Sequence, residues 1–294
     1  MERKIEFTKM HGLGNDYIYI DADRFPIADP SAFSIKWSKP HTGIGSDGLI
    51  LISKSDIADY RMRIFNADGS EALMCGNGSR CVAKYVYDKK IASNKDTETM
   101  DSKSISKASI ALETNAGIKN IDIDVKGGVA VAATVDMGEP ILNNTAQVNT
   151  DDGSLNGQSI VVEEHPFHPT FVCMGNPHCV IFVDDVSRVP VEILGPQIEF
   201  NPIFPERTNV EFVQVLSDGS LRMRVWERGS GITQACGTGA CATAVAAFLT
   251  DRAGRQSTVR MDGGDLQITW SEADNHIYMH GPAETSFEGY ILES

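Results

Sequence analysis

Short stretches of alternating apolar and polar residues fill most of this chain. Such alternation predicts β-strands, because successive side chains of a strand point to opposite faces of a sheet. Turn residues separate the stretches, as in Lys126-Gly127-Gly128 and Ser217-Asp218-Gly219. The predicted strands are Asp16–Asp21, Leu49–Ser53, Arg61–Phe65, Ile118–Val125, Val129–Asp136, Phe171–Val183, Val210–Val215, Leu221–Trp226, Thr258–Met261, Leu266–Trp270 and Ile277–His280.

Two segments have a helical pattern instead, Gly78–Lys89 and Gly239–Thr250, and each follows a Cys-Gly-x-Gly sequence. The second is rich in alanine, and small side chains suit a helix that strands enclose closely. We therefore expect a curled sheet around each helix. Residues 92–108 are polar and aperiodic, which predicts an exposed loop.

The chain contains an internal repeat at a constant offset of 161 residues. The sequence RMRIFN at 61–66 returns as RMRVWE at 222–227, and two further pairs keep the same offset: Gly14-Asn15 with Gly175-Asn176, and Cys75–Gly78 with Cys236–Gly239. Three matches in one register predict two homologous halves. We place these at 1–140 and 141–294, with an active site in the cleft between them. The predicted class is α/β of the α+β type, with two pseudo-symmetric halves, each a β-barrel-like, mostly antiparallel sheet around a central helix.

Composition narrows the range of partners. Of 294 residues, 41% are apolar, and 40 acidic side chains against 26 basic ones give a net charge of −14. This is typical of a soluble globular protein, and its acidic excess disfavours nucleic acid and anionic membranes as partners. The charged N-terminus and the lack of a run of roughly 18 apolar residues predict a cytoplasmic protein.

Six cysteines without a C-x-x-C pair, and histidines without ligand spacing to them, predict neither a disulfide scaffold nor a metal site. Cys75 and Cys236 are different from the rest because each opens a glycine-rich helix start. Free N–H groups and the helix dipole make such a start a site for a carboxylate, and they lower the pKa of a thiol placed there.

Two thiols on opposite faces of one carbon would suit inversion of a stereocentre, since one removes a proton and the other delivers one. One must then be a thiolate and the other a thiol, a balance that His178 or Glu227 would set. The alternative is that both cysteines are packed in a core and the glycines serve only the turn. The duplication argues against that alternative.

Ordered motifs along nearly the whole chain, apart from 92–108, resemble the diaminopimelate epimerase family. They are TKMHGLGNDY at 8–17, FNADGSE at 65–71, CGNGSRC at 75–81, MGNPHC at 174–179, ERG at 227–229 and QACGTGA at 234–240. The resemblance implies cofactor-independent interconversion of LL- and meso-2,6-diaminoheptanedioate (diaminopimelate) in lysine and peptidoglycan-precursor synthesis. It also implies two similar α/β halves and a homodimer.

The resemblance assigns roles to individual residues. Cys75 and Cys236 match the acid/base pair, and the backbone at Gly76-Asn77 and Gly237-Thr238 would hold the carboxylate of the reacting centre. The remaining matches are Asn66 and Glu227 for the reacting ammonium, Asn15, Asn176, Asn209 and Arg228 for the distal amino-acid head, and His178, with Glu227, for adjusting the thiol pKa values.

Each of these residues also has a purely structural interpretation. Asn15, Asn176 and Asn209 would shape turns, Glu227 and Arg228 would form a solvated surface pair, and His178 would be an ordinary strand histidine. We assign the other cysteines to packing: Cys81, Cys173, Cys179 and Cys241.

The chain departs from the family pattern at two places. Asp47-Gly48 replaces a common Asp-Gln, which removes a distal side-chain contact. Gly231-Ile232-Thr233 replaces Gly-Glu-Thr, where we expect no chemical role.

Four other functions compete with this one. Proline or hydroxyproline racemases have a Cys-Gly-His turn where this chain has Cys75-Gly76-Asn77. Phenazine-type isomerases lack the paired cysteines. A binding or redox-sensing protein would form a reversible Cys75–Cys236 disulfide. A pyridoxal enzyme would need a distinctive lysine, which the sequence does not offer. The two glycine-rich anion sites favour an enzyme.

Overall fold

The computed structural model describes residues 3–91, 104–162 and 165–293. Contacts divide the chain into two compact units: unit 1 is Met1–Asp136 with His280–Ser294, and unit 2 is Met137–Met279. No helix in the described ranges combines the length and apolar character that crossing a bilayer requires.

The elements up to residue 138 are, in chain order, β1 (Arg3–Gly12), β2 (Asn15–Asp21), α1 (Pro30–Trp37), β3 (Gly48–Lys54), β4 (Tyr60–Asn66), β5 (Glu71–Ala72), α2 (Gly76–Val86) with a π-helical turn at Tyr87–Ile91, β6 (Ile105–Thr114), β7 (Gly117–Lys126) and β8 (Val129–Gly138). The helix α2 packs against β1, β2 and β7, and all its residues except Lys84 are buried. Unit 1 thus has a sheet curled around one helix.

The later elements are β9 (Ile160–Val162), β10 (His165–Phe167), β11 (Thr170–Cys173), β12 (Pro177–Phe182), a 3-10 turn at Val186–Arg188, α3 (Val191–Glu199), β13 (Asn209–Val215), β14 (Leu221–Glu227), β15 (Gly231–Ile232), α4 (Gly237–Leu249), β16 (Gln256–Met261), β17 (Gly264–Trp270), β18 (Ile277–Pro282) and β19 (Glu284–Glu293). Strands β11–β14, β16 and β17 contact α4. Its small side chains allow this close packing, as the alanine-rich sequence predicts.

The two units repeat the same strand pairings. The pairs β1·β2, β3·β4 and β6·β7 of unit 1 are antiparallel, and so are β11·β12, β13·β14 and β16·β17 of unit 2. The pairs β2·β3 and β4·β6 are parallel, as are β12·β13 and β14·β16. The repeat in the sequence is therefore a repeat of topology, and the sheets are mostly antiparallel.

The C-terminal strand belongs to unit 1, whereas the sequence-based division put residues 141–294 together. The reason is the long antiparallel ladder between β1 and β19, which runs from Arg3↔Glu293 to His11↔Glu284. Neither strand was predicted from the sequence, because their pairing joins the two ends of the chain.

Several predicted bounds of strands, loops and helices were wrong in identifiable ways. The run Phe171–Val183 is two antiparallel strands, β11 and β12, because Gly175 adopts φ 89° in the turn that joins them. Residues 105–108 of the predicted loop belong to β6 and pair with β7, while 92–103 lie outside the described residues. The helices α1 and α3 were not predicted, although Asp29 caps α1 through Ala32 N–H and Pro30 is in its first turn.

Gly195 lets α3 lie against the sheet, which gives a stability prediction. A Cβ at this position would lie 2.5 Å from Cγ of Trp226. Replacing glycine by alanine in a helix normally raises the free energy of unfolding by about 1 kcal/mol. Overpacking at this position lowers it by about 1–3 kcal/mol. We expect Gly195→Ala to lower the urea midpoint of unfolding. Gly254→Ala is the matched control, because no atom lies within 4 Å of that Cβ position. A Gly195→Ala midpoint at or above the parent value would contradict this packing.

Candidate active site

Cys75 is the N-cap residue of α2, with an extended backbone at φ −140° and ψ 115°. Its Sγ accepts the N–H of Gly78 at 3.3 Å and donates to Oδ1 of Asn15 at 3.3 Å. Gly78 carries no side chain, and a Cβ there would lie 2.8 Å from Cδ1 of Ile50 and 3.6 Å from Sγ of Cys75. The glycine therefore allows both the thiol and the strand beneath to contact the first helical turn.

Asp47 fixes the orientation of the Asn15 amide. Its Oδ2 accepts from Nδ2 of Asn15 at 2.8 Å and from the backbone N–H of Asp16 at 3.0 Å. The other end of the amide, Oδ1, consequently faces Cys75 and lies 3.4 Å from Nδ2 of Asn77. Unit 1 thus brings Asn15, Cys75 and Asn77 together, and Asp47 is a fourth member to which sequence reasoning gave no role.

Asn66 takes no part in those hydrogen bonds within the described residues. It ends β4 and donates from Nδ2 to Oγ of Ser70 at 3.0 Å. Its partner in the β3·β4 ladder is Gly48, the residue that departs from the family pattern. A Cβ at Gly48 would lie 2.1 Å from the carbonyl oxygen of Phe65, so the two strands approach at a distance that only glycine permits.

Cys236 is the N-cap residue of α4, with φ −124° and ψ 110°, and only 4% of it is exposed. Burial raises the pKa of this thiol well above its ordinary value, and the carboxylates of Glu227 and Glu211 raise it further. Hydrogen bonds from Thr238 and from the backbone of Gly239 act in the opposite direction. The lowering effect of a helix start is therefore outweighed at Cys236 in the free protein.

Glu227 ends β14 and interacts directly with Cys236. Burial raises the pKa of Glu227, while the hydrogen bonds from Thr233 and Cys236 and the charge of His178 lower it. Thr233 is thus a partner of Glu227, while its neighbour Ile232 is 41% exposed. Glu227 is not a solvated surface group.

Asn209 holds the turn that follows Glu227. Its Nδ2 donates to the carbonyl of Pro177 at 2.8 Å, and its Oδ1 accepts the N–H of Arg228 at 2.9 Å. Arg228 in turn donates from Nη1 to the carbonyl of Glu206 at 3.0 Å. Asn209 is therefore a buried link between β12 and the start of this turn.

A chain of polar contacts runs beneath the first turn of α4. Nδ1 of His178 lies 2.7 Å from Oε1 of Glu211, and Nε2 lies 3.1 Å from Oδ1 of Asn176. Nδ2 of Asn176 donates to Oγ1 of Thr238 at 3.3 Å, and Oγ1 lies 3.6 Å from Sγ of Cys236. His178 and Glu211 are both fully buried.

Sequence reasoning missed Glu211, although a signal was present. Glu211 is the one acidic residue in the run Val210–Val213, which otherwise reads as the interior of a strand. An isolated charge in such a run is expensive to bury and therefore indicates a polar partner.

The other four cysteines are buried: Cys81, Cys173, Cys179 and Cys241. Burial raises the pKa of Cys81 to about 11 and that of Cys179 well above its ordinary value. The thiols of Cys81 and Cys179 are therefore protonated at neutral pH, as packing residues would be. Among the described residues, no three His, Cys, Asp or Glu side chains form a group that could hold a metal ion.

Comparison with known proteins reveals both close relatives and distant ones. The family model described as Diaminopimelate epimerase matches residues 7–143 and 170–286. The diaminopimelate epimerase of Phocaeicola vulgatus is 56% identical over 291 residues, covering 99% of each chain. That of Bacteroides thetaiotaomicron is 54% identical over 289 residues, covering 98% of each.

Solved structures of lower identity share the fold. A Bacillus anthracis phenazine biosynthesis protein of the PhzF family has a TM-score of 0.70 at 16% identity, covering 99% of this chain and 100% of that one. A hydroxyproline epimerase from Agrobacterium vitis has a TM-score of 0.69 at 15% identity, covering 99% of this chain and 91% of that one. The predicted fold class is confirmed. The family model and the relatives of 56% and 54% identity show that the chain belongs to the diaminopimelate epimerase family and is an isomerase.

Proposed function

We propose that this enzyme interconverts LL- and meso-2,6-diaminoheptanedioate without a cofactor, using Cys75 and Cys236 as a pair of acid/base groups. The observation that carries the proposal is the equivalence of the two thiols, each the N-cap of a buried helix that begins with Gly-x-Gly. The names of relatives that are 56% and 54% identical support the substrate and a role in lysine and peptidoglycan-precursor synthesis.

The chemistry needs one thiolate and one thiol. The thiolate takes the α proton, so that a C–H bond breaks and an S–H bond forms. The other thiol gives its proton to the opposite face of the same carbon, which forms the new C–H bond and leaves a thiolate behind. The reverse reaction then uses the two sulfurs in exchanged roles, and the proposal requires both to reach one carbon.

The helix starts would hold the carboxylate of the reacting centre. The backbone N–H groups at Gly76-Asn77 and Gly237-Thr238 lie in first turns, where they have no helical partner. Such donors attract an anion and stabilise the charge that spreads onto the carboxylate when the α proton leaves.

Glu227, with Asn66, would bind the reacting ammonium, and this binding would activate Cys236. The carboxylate of Glu227 raises the pKa of Cys236 in the free protein. A cationic ammonium beside Glu227 cancels part of that negative field, so the pKa of Cys236 falls when substrate binds. Substrate would thereby help to create the thiolate that attacks it.

The distal amino-acid head would be recognised by Asn15, Asn176, Asn209 and Arg228. Gly48 offers no side chain for that recognition, so amide groups and one guanidinium must supply it. A homodimer in the cytoplasm, without nucleic acid or membrane as a partner, remains a prediction of the sequence.

The first test is turnover in deuterated water. Purified protein with reductant, without added cofactor, is incubated with LL-diaminopimelate while stereochemistry and α-deuterium are followed. We expect the meso isomer with deuterium at the inverted carbon, because the delivered proton comes from an exchanged thiol. Lack of exchange with this substrate, alongside exchange with proline or hydroxyproline, would refute the proposed specificity.

Single substitutions test the two thiols. Cys75→Ala and Cys236→Ala should each lose epimerisation by at least about 1000-fold, since each removes one of two obligatory proton carriers. Cys241→Ala, which lies on α4 and packs in the core, is the control and should keep most activity. Circular dichroism should show all three folded. Epimerisation at the parent rate in either of the first two variants would disprove the two-thiol mechanism.

Glu227→Gln tests the electrostatic link. Removing this negative charge should lower the pKa of Cys236 in the free protein, because less repulsion opposes the thiolate. The titration is followed by NMR of protein labelled with 13C at cysteine Cβ, with Cys236→Ala identifying the resonance. We also expect kcat/KM to fall on the order of 100-fold. An unchanged or raised Cys236 pKa would count against the link.

A further inference from the structure

Glu211 is a fully buried carboxylate that the proposed mechanism does not use. It lies on β13 beneath the first turn of α4, and its Oε1 lies 2.7 Å from the position a Cβ of Gly239 would occupy. Its Oε2 has no hydrogen-bond partner among the described residues. Burying a carboxylate in this way is costly unless an opposite charge accompanies it, so its presence needs a reason.

Unit 1 shows that the fold itself does not require a carboxylate here. The 161-residue offset relates Glu211 to Ile50 and His178 to Tyr17. Ile50 occupies the same place beneath α2, where its Cδ1 lies 2.8 Å from the Cβ position of Gly78. The ladder partners are equivalent too, since Tyr19 pairs with Ile50 and Val180 with Glu211. An apolar side chain therefore satisfies the packing at this position.

The hydrogen-bond partners of His178 indicate its protonation. Glu211 Oε1 faces Nδ1, and Asn176 Oδ1 faces Nε2, so both ring nitrogens meet acceptors. With Glu211 ionised and the Asn176 oxygen turned to the ring, both nitrogens donate, and the imidazolium so formed supplies the charge opposite to Glu211. Among the described residues, Cys179, Cys236 and Glu227 are titratable groups that interact with this pair.

The direction of donation continues to the thiol. Because Asn176 accepts from His178 through Oδ1, its Nδ2 is turned to Thr238 and donates to Oγ1. The hydroxyl hydrogen of Thr238 is then free to be donated to Sγ of Cys236, 3.6 Å away, when that sulfur is a thiolate. With a neutral ring the Asn176 amide would have to turn over, and Thr238 would donate to Asn176 instead of to the sulfur.

Unit 1 has the opposite arrangement. Asn15 is the counterpart of Asn176, but Asp47 holds its NH2 group, so its oxygen faces Cys75. Both sulfurs bond to the backbone of the first helical turn, at Gly78 and Gly239. The amide that faces Cys75 is an acceptor, whereas the amide in unit 2 reaches Cys236 through the Thr238 hydroxyl. Two equivalent asparagines thus give the two sulfurs different partners.

We propose that Glu211 is a positioning residue that holds His178 as an imidazolium and so directs the Asn176–Thr238 hydrogen bonds toward the sulfur of Cys236. The donor that reaches the sulfur compensates in part for the carboxylates beside it, so that a thiolate can form when substrate arrives. The catalytic part of this inference rests on the proposed function, whereas the protonation of His178 does not.

The direct test is NMR of the protein labelled with 15N at histidine, at pH 7.5, with His178→Gln identifying the resonances. We expect both ring nitrogens of His178 to carry protons in the parent protein. In Glu211→Gln, which keeps the shape and an acceptor but removes the charge, one nitrogen should lose its proton. A neutral His178 ring in the parent protein overturns the inference, and so does an imidazolium that persists in Glu211→Gln.

Kinetics separates this role from a structural one. Glu211→Gln should lower kcat roughly 10- to 100-fold, as loss of an orienting partner does, while KM changes by less than about threefold. Glu211→Asp should retain an imidazolium and recover part of kcat. A Glu211→Gln enzyme with the parent kcat would also overturn the inference. A parent protein inactive on diaminopimelate would refute the proposed function and leave the NMR result to decide the state of His178.

Discussion

The structure depends on one steric constraint, repeated in both units: the last residue of the Cys-Gly-x-Gly start must have no side chain. At Gly78 a Cβ would lie 2.8 Å from Ile50, and at Gly239 it would lie 2.7 Å from Glu211. Because glycine has no side chain, the strand beneath can contact the first helical turn. The cysteine at the N-cap then stays beside free N–H groups. The thiol, the anion site and the packing of the central helix therefore have a common origin.

That shared geometry does not make the two thiols alike. A helix start lowers the pKa of a thiol. At Cys236 burial and the neighbouring carboxylates raise the pKa, and their effect is larger than that of the helix start. Cys75 is half-buried and contacts an amide oxygen, whereas Cys236 is buried beside two carboxylates. Two units of the same topology thus supply different electrostatic surroundings through side chains alone.

Much of this could be predicted from the sequence, because the repeat and the alternating pattern are local signals. The offset between Cys75 and Cys236 identified both helix starts. Strands such as β1 and β19 were missed, because their pairing joins the two ends of the chain and leaves no local trace. Asp47 and Glu211 were missed as site members for a similar reason: each acts through a contact more than 30 residues away in sequence, on Asn15 and on His178.

The difference between the units also bears on why a duplicated fold suits inversion at carbon. In the proposed mechanism the two proton transfers are mirror-related at the α carbon, so two equivalent helix starts can supply both sulfurs and both sets of carboxylate donors. The ammonium and the side chain of the substrate differ from each other, so the two units need not present the same side chains to them. Glu227 occurs where unit 1 has Asn66, and Glu211 where it has Ile50. At these two positions unit 2 has a carboxylate, which in the proposed mechanism answers the cationic ammonium, while unit 1 has an amide and an apolar side chain.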